Sequence, residues 1–414
     1  MRTRAKGLMA MAVVVAAAVS GCATGGSGGS SGGQTSAEPI VLYAPIPLTG
    51  SRQYYEIVAG ANAAAAAINK AGGVKGRQIE IKSCDTKSDP TQEAACAQDI
   101  LKTKATAVIS QASGRSTAIA DVTNENKIAS IGGLGFGSLD LLKDSVAAFN
   151  LTTGPTAPMT CPAGLGGDGR TTFGAMVTDL ASGALIAQAA ETATKAVPGT
   201  TWAKTIKVLP EATDVAGLFQ TALDSKVNGL VLAGSTTQLV GVVQANNNRI
   251  GLCGPDSLTV DALTKLGPAG NTWIGMSSTP PVDIVRAGGG DGVLFADDMA
   301  AYGASSNDKL AAEPAWRYTT LTGWMSVRAF QRVAEKIDGD ISQKSVFDAF
   351  TKTTDLRFPG LLPSPVDFTK FQPIPAFARV FVPEYTAYKW DATKKHFAST
   401  GTTANLITLL SKGQ

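Results

Sequence analysis

The residues able to do chemistry are few, and their scarcity is informative. Among the 414 residues there is a single histidine, His396. Zinc centres, Ser-His-Asp triads and Cys-His dyads each draw on imidazole together with other ligating or nucleophilic groups, and one histidine excludes most of them. Neither Ser-x-x-Lys, Gly-x-Ser-x-Gly nor a carboxylate pair stands at a strand–helix junction with partners in view. Asp179 is alone in its loop and suits binding better than catalysis. Catalysis, metals and cofactors are therefore not expected. Of the five cysteines, Cys84, Cys96, Cys161 and Cys253 form an even set suited to disulfides in an exported chain. Their spacings fit no zinc pattern. Four cysteines allow three pairings, and Cys84–Cys96 with Cys161–Cys253 is favoured, the first tying a strand end to the following helix. Buried thiols are the alternative.

The fifth, Cys22, is an address. Arg2, Arg4 and Lys6 form a basic n-region, and Gly7 to Val19 is an apolar run too short to span a bilayer comfortably. Val19-Ser20-Gly21-Cys22 then resembles a bacterial lipobox, in which Cys22 is lipidated and becomes the new N-terminus. An ordinary secretory signal with an incidental cysteine is the other reading. Ala23 to Glu38, nearly all Gly, Ser, Thr and Ala, is a flexible tether. The formal charge of +3 comes from the three basic residues of the leader. Without them 33 bases face 33 acids (36 Lys+Arg less three, against 33 Asp+Glu), which leaves no electrostatic footprint for nucleic acid.

The body must be read as elements that position loops. Hydrophobic residues at 44% supply ample core. Ile40–Ala44, Gln78–Lys82, Ala107–Ser110 and Ile128–Ile131 read as strands. They alternate with helices over Tyr54–Ala71, Pro90–Lys102 (capped by Asp89) and Ser116–Asn126. The pattern restarts with strands Phe173–Val177, Thr205–Leu209, Gly229–Ala233, one near Leu258, and Thr272–Met276. Helices Ser182–Ala196, Val215–Leu223 and Thr237–Asn246 lie between them. These are two α/β arrays with parallel, doubly wound sheets. A long helix, Pro314–Lys336, carries Trp316, Trp324 and Phe330 on a packing face. Ser345–Thr351 is a shorter helix, and Ala378–Phe381 with Tyr385–Lys389 reads as a terminal ribbon.

Loops after strand C-termini are the candidate binding sites. Gln111-Ala112-Ser113-Gly114-Arg115-Ser116-Thr117 joins a strand to a helix N-terminus, whose free amides and dipole suit a carboxylate. Ser113, Ser116 and Thr117 add hydroxyls, although Ser116 or Thr117 also suits plain N-capping. In Gly132-Gly133-Leu134-Gly135-Phe136-Gly137 the spacing is wrong for a dinucleotide fingerprint. Its glycines let a ligand approach the backbone. Tyr54 and Tyr55 sit at the first cleft loop, Tyr302 is a weaker candidate, and Gly234-Ser235-Thr236 ends a strand of the second array.

Four segments carry a resemblance to a known family. They are Pro45-Ile46-Pro47-Leu48-Thr49-Gly50 with the helix ending Ala67-Ile68-Asn69-Lys70-Ala71-Gly72-Gly73-Val74-Lys75-Gly76-Arg77; Cys84-Asp85-Thr86-Lys87-Ser88-Asp89-Pro90; Val177-Thr178-Asp179-Leu180-Ala181-Ser182-Gly183; and Pro365-Val366-Asp367-Phe368-Thr369. The chain resembles the branched-chain amino acid (Leu/Ile/Val)-type substrate-binding lipoproteins of ABC transporters, which have the type I periplasmic binding protein fold. That resemblance implies two Rossmann-like lobes joined by three crossings near 150–156, 276–282 and 362–376. Behind the signal peptide (1–21) and tether (22–38), one lobe comprises 39–153 and 280–368 and the other 154–279 and 369–414. It implies a ligand trapped between the lobes by hinge closure, a membrane permease as partner, extracytoplasmic attachment through Cys22, and a monomer. The implied ligand set is Tyr54, Tyr55, Gln111, Ala112, Ser113, Ser116, Gly133, Leu134, Gly135, Asp179, Ser182, Ser235 and Asp256. Asp256 stands where the family places an acid for a ligand ammonium, and it equally suits a Gly-Pro-Asp turn. Leu134 replaces a hydroxyl residue of the family, and Ala181-Ser182 is small where the family is bulky. Both departures point away from a plain α-amino acid, toward an amide or another carboxylate. A ligand-sensing subunit that signals to a partner protein is the alternative function on this fold.

Overall fold

The computed structural model describes residues 38–50, 53–112, 114, 116–135, 138–152, 154–255 and 257–414. The leader, the tether, Cys22, Ser113, Arg115 and Asp256 lie outside the described residues.

The first array begins with β1 (Ile40–Ile46), an apolar run buried along almost its whole length. Helix α1 (Glu56–Lys70), strand β2 (Ile79–Asp85), helix α2 (Pro90–Lys102) and strand β3 (Ala107–Ile109) follow, then α3 (Ala118–Asn126), β4 (Ser130–Ile131) and β5 (Ala148–Phe149). These five strands form one parallel sheet in the order β2-β1-β3-β4-β5. The start of α2 follows from its residues: the Asp89 carboxylate accepts from the amides of Thr91 and Gln92, and Pro90 occupies a position that needs no amide.

The chain then enters the second array through two short helices, α4 (Thr156–Met159) and α5 (Cys161–Gly167). Strand β6 (Thr172–Thr178), helix α6 (Ala181–Lys195), β7 (Thr201–Val208), α7 (Ala216–Asp224), β8 (Gly229–Ala233), α8 (Thr236–Asn246), β9 (Gly251–Pro255), α9 (Val260–Leu266) and β10 (Trp273–Ser277) follow. Next the chain returns to the first sheet with α10 (Gly290–Ser306), α11 (Tyr318–Ala334) and α12 (Gln343–Thr351), which pack on α1 and β3. It ends on the second sheet with β11 (Glu384–Asp391), β12 (His396–Asn405) and α13 (Leu406–Gly413). The second sheet has the order β12-β11-β10-β9-β8-β6-β7. It is parallel from β7 to β10 and antiparallel through β11 and β12.

Two apolar clusters pack on the first sheet, a large one with Trp324, Phe330, Phe149 and Phe350 fully buried in it and a smaller one around Tyr43, Ile100, Val108 and Ile119. The second sheet is covered on its two faces by separate apolar layers. Disulfides join Cys84 to Cys96, holding the end of β2 to α2, and Cys161 to Cys253, holding the start of α5 to β9. Trp316 is buried with Trp324 and Phe330, although it precedes α11 instead of lying within it.

Three elements differ from the sequence reading. The strand expected near Leu258 is β9, earlier in the chain; its Gly-Leu-Cys-Gly-Pro composition hides a central strand buried up to Pro255. Ala378–Phe381 is not the first ribbon strand. Arg379 is buried there, donating to the carbonyl oxygens of Ala148 and Val146 beneath the rings of Phe149, Phe371 and Phe381. The ribbon pairs β11 with β12, a mostly exposed polar strand that lacks the apolar alternation of a buried one. Helix α10, to which no element was assigned, opens on the glycine run Gly288–Gly290, which reads as a loop.

Candidate functional site

The principal cavity lies where the C-terminal end of β1 faces the C-terminal ends of β6, β8 and β9. Its volume is about 420 Å³, within the range of small-molecule sites. In each sheet the first strand has neighbours added on both sides, β2 and β3 beside β1, β7 and β8 beside β6. The cavity therefore opens at the switch points of both sheets, where open α/β sheets bind ligands.

One wall is the loop after β1 and the start of α1, with Gly50, Gln53, Tyr54, Tyr55 and Glu56. Asp85, beside the Cys84 disulfide, holds this loop in place: its carboxylate accepts from the amides of Leu48 and Thr49 and from the Thr49 hydroxyl. Burial pushes the Asp85 carboxyl up, but these donors and the Lys87 amide outweigh it and leave the group below its ordinary range. Gly50 has φ +95°, and a Cβ there would fall 2.6 Å from the Lys87 carbonyl oxygen. Only glycine allows that approach without strain.

The opposite wall is built from Thr178, Ser182, Gly183, Ala233, Gly234, Ser235 and Pro255. Ser235 caps α8 in a reciprocal box with Gln238, whose amide nitrogen also donates to the carbonyl oxygens of Leu209, Pro210 and Ala212. No such cap closes α6, whose N-cap is Leu180. The first amides of a helix have no acceptor within it, so those of Ser182 and Gly183 are available at this wall. Gly183 keeps the helix close, since a Cβ would fall 1.9 Å from the Thr178 carbonyl oxygen.

The floor joins α1 to α11. Arg317, Tyr318 and Thr319 line the cavity beside Glu56. Arg317 and Glu56 are the charged side chains among the described lining residues. The Thr319 hydroxyl donates to Glu56 Oε1, and Arg317 lies 3.8 Å from that oxygen. The proximity has a backbone cause. A Cβ on Gly60 would meet the Thr320 carbonyl oxygen at 2.0 Å, and one on Gly323 would meet that of Ile57 at 2.1 Å. The two helices thus touch backbone to backbone, and their first turns meet at the cavity. Burial pushes the Glu56 carboxyl up from its ordinary value, partly offset by the Thr319 hydroxyl and the Arg317 charge.

Of the residues expected in the site, Tyr54, Tyr55, Ser182 and Ser235 line this cavity. The others described do not. Gln111 is buried, its side chain accepting from the Ser130 hydroxyl and its carbonyl from the Leu134 amide. Ala112 and Leu134 belong to the core of the first array. Gly133 and Gly135 stand in the same loop, outside the lining. Ser116 donates through both amide and hydroxyl to the buried Glu93 carboxylate, and α3 has Thr117 as its N-cap with no side-chain cap bond. Asp179 pairs with Lys207 on the surface. Sequence reasoning did not single out Glu56, Arg317, Thr319 or Thr178 among the lining residues, whereas Gly234 stands in the loop named with Ser235. The available signal was Gly60 and Gly323, two glycines inside otherwise good helices.

The family of periplasmic binding proteins matches residues 44–379, and the chain belongs to it. Its fold is the type I periplasmic binding protein fold. A substrate-binding periplasmic protein of Ralstonia solanacearum superposes with TM-score 0.71 at 17% identity, over 86% of this chain and 98% of that one. A fatty acid ABC transporter substrate-binding protein of Thermomonospora curvata gives TM-score 0.71 at 15% identity, over 90% and 94%. A solute-binding protein of an ABC transporter from R. palustris, in complex with benzoate, gives 0.69 at 15% identity, over 88% and 97%. By sequence, no curated protein matches the chain. The family is one of periplasmic binding proteins, and these neighbours are described as substrate- or solute-binding proteins. No helix among the described residues is long and apolar enough to cross a membrane.

Proposed function

We propose that this chain is the solute receptor of an ABC importer, anchored outside the cell membrane by a lipid on Cys22. It captures a small polar solute carrying an anionic group (an amino acid, amide-bearing acid or other carboxylate) and passes it to a membrane permease. The lobes 39–153 with 280–368 and 154–279 with 369–414 close on the solute as two bodies about the crossings.

The observation that carries this reading is the convergence of four helix N-termini, those of α1, α6, α8 and α11, on one cavity. Each brings partial positive charge, α6 adds first-turn amides that no side chain caps, and Arg317 adds a full charge. A carboxylate is the group such a site stabilises best. The small residues Gly183, Gly234 and Ser235 leave room for a body larger than a short aliphatic side chain. Neighbours described as binding a fatty acid or benzoate support an acid as ligand, and two disulfides suit an exported chain.

A thermal-shift panel on ligand-stripped, refolded protein tests the reading, using amino acids, amides, urea, and aromatic and aliphatic carboxylates. A ligand at 100 times its Kd adds about 2.7 kcal/mol, which is about 3 °C at roughly 2.1 cal/mol/K per residue. A shift confined to compounds with a carboxylate is the expected result. Shifts with uncharged compounds only, or none at all, would remove the proposal.

A further inference from the structure

The carboxylate of Glu56 is only half used. Oε1 has Thr319 and Arg317, whereas Oε2 is buried and has no hydrogen-bond partner among the described residues. Glu56 is 1% exposed and lines the cavity. A buried acceptor left unmatched costs the folded protein stability, so this atom is better explained by something that arrives from the cavity than by the fold itself. Its setting also dictates what can arrive. A bare anionic or apolar surface placed against Oε2 leaves the acceptor unmatched, or repels it. An N–H or O–H group satisfies it.

We propose that Glu56 is the specificity-determining acceptor of this cleft: Oε2 takes a hydrogen-bond donor of the ligand while Arg317 and the open amides of α6 hold the ligand's anionic end. The protein therefore selects acids that carry a donor over the same acids without one. The inference rests on the carboxylate reading above. It assigns donor recognition to the start of α1 in the first array, and not to the strand-end loops of the second. Burial raises the affinity of Glu56 for a proton against the pull of Thr319, Arg317 and its own backbone amide, and a ligand donor at Oε2 would oppose that rise.

The donor can be a hydroxyl or an ammonium, and two matched pairs of probes separate them: 4-hydroxybenzoate against benzoate, and leucine against 4-methylpentanoate. Calorimetric titration of the wild-type protein is expected to show, in one pair, the donor-bearing member binding about 10- to 100-fold more tightly, the range set by one unmatched buried polar group. Glu56→Gln should collapse that preference to within about threefold. In the same variant without ligand, the melting temperature at pH 7.5 should hold or rise, because a desolvated charge has been removed. A fall in melting temperature with the preference intact would make Glu56 a structural tie between α1 and α11, and would overturn the inference. Equal binding within both pairs, unchanged by Glu56→Gln, would overturn it while leaving the carboxylate reading standing. If neither pair binds and uncharged compounds do, the carboxylate reading fails first and takes the inference with it.

Discussion

Replacing Gly60 by alanine adds one methyl group where α1 and α11 touch, and the structure says how badly it fits. The new Cβ lies 2.0 Å from the Thr320 carbonyl oxygen, 2.9 Å from its carbon and 3.1 Å from the Trp324 amide nitrogen. All three neighbours are backbone, so no side chain can rotate away. The helices must part by more than about 1 Å, in a core where interiors tolerate little added volume. Overpacking of this kind costs about 1–3 kcal/mol. Alanine recovers about 1 kcal/mol of helix propensity, so the net loss is about 0–2 kcal/mol, toward the upper end because only backbone can give way. Gly217 is the control. It is exposed near the start of α7, and a Cβ there meets nothing within 4 Å. Gly217→Ala should stabilise by about 0.4–1 kcal/mol. Calorimetric melts of the two variants are therefore expected to move in opposite directions. Gly60→Ala should also weaken ligand binding, since the Glu56–Thr319 contact opens as the first turns separate. If Gly60→Ala melts at or above wild type, close backbone contact is not what joins these helices, and the account of how Glu56 reaches Thr319 fails.

Two further outcomes follow from the disulfides and from a buried acid. Cys161–Cys253 closes a span of 92 residues and Cys84–Cys96 one of 12. On the chain-entropy account their removal costs about 4.6 and about 2.8 kcal/mol respectively, so the Cys161→Ala/Cys253→Ala variant should unfold at lower denaturant than Cys84→Ala/Cys96→Ala; the reverse order would contradict it. Asp140 is fully enclosed, and burial pushes its carboxyl up to about 7. A folded value above the unfolded one means stability is fully present below pH 4 and declines as pH rises to about 7. Asp140→Asn should thus stabilise the protein at pH 8 relative to wild type and lose that advantage at pH 4, which melting curves at the two pH values would show.

Much of the fold was legible along the chain. The start of helix α2 could be read because Asp89 and Pro90 are local signals that act at the first amides. The inner parallel strands β1, β3, β6 and β8 were legible as short apolar runs, since both faces of such a sheet are covered and every residue tends to be apolar. Where local signals mislead, tertiary contacts had overridden them. Strand β9 contains two glycines and a proline because its neighbours are tight: a Cβ on Gly254 would fall 2.8 Å from the Trp273 ring. Strand β12 is polar because it is an exposed edge, where solvent removes the apolar alternation. The segment at Arg379 is apolar and short like a strand, yet its apolar residues cover a buried guanidinium.

The site divides in the same way. Sequence alone pointed to the class of protein: the four quoted segments resemble the family to which the chain belongs, and strand-to-helix loops are where open α/β sheets form their crevices. The number of usable cysteines and the general location at strand ends were also in the residues. Only the tertiary structure decided which loops reach the cavity. Gln111 and Leu134 sit at a strand end as expected, but Leu134 is packed into the first core and Gln111 is buried against Ser130 and Leu134, whereas Ser182 and Ser235 line the cavity. Glu56 and Arg317 are 261 positions apart, and nothing near either one points to the other. They meet because Gly60 and Gly323 let two backbones touch, and contact at such a distance along the chain depends on packing, which local sequence does not encode.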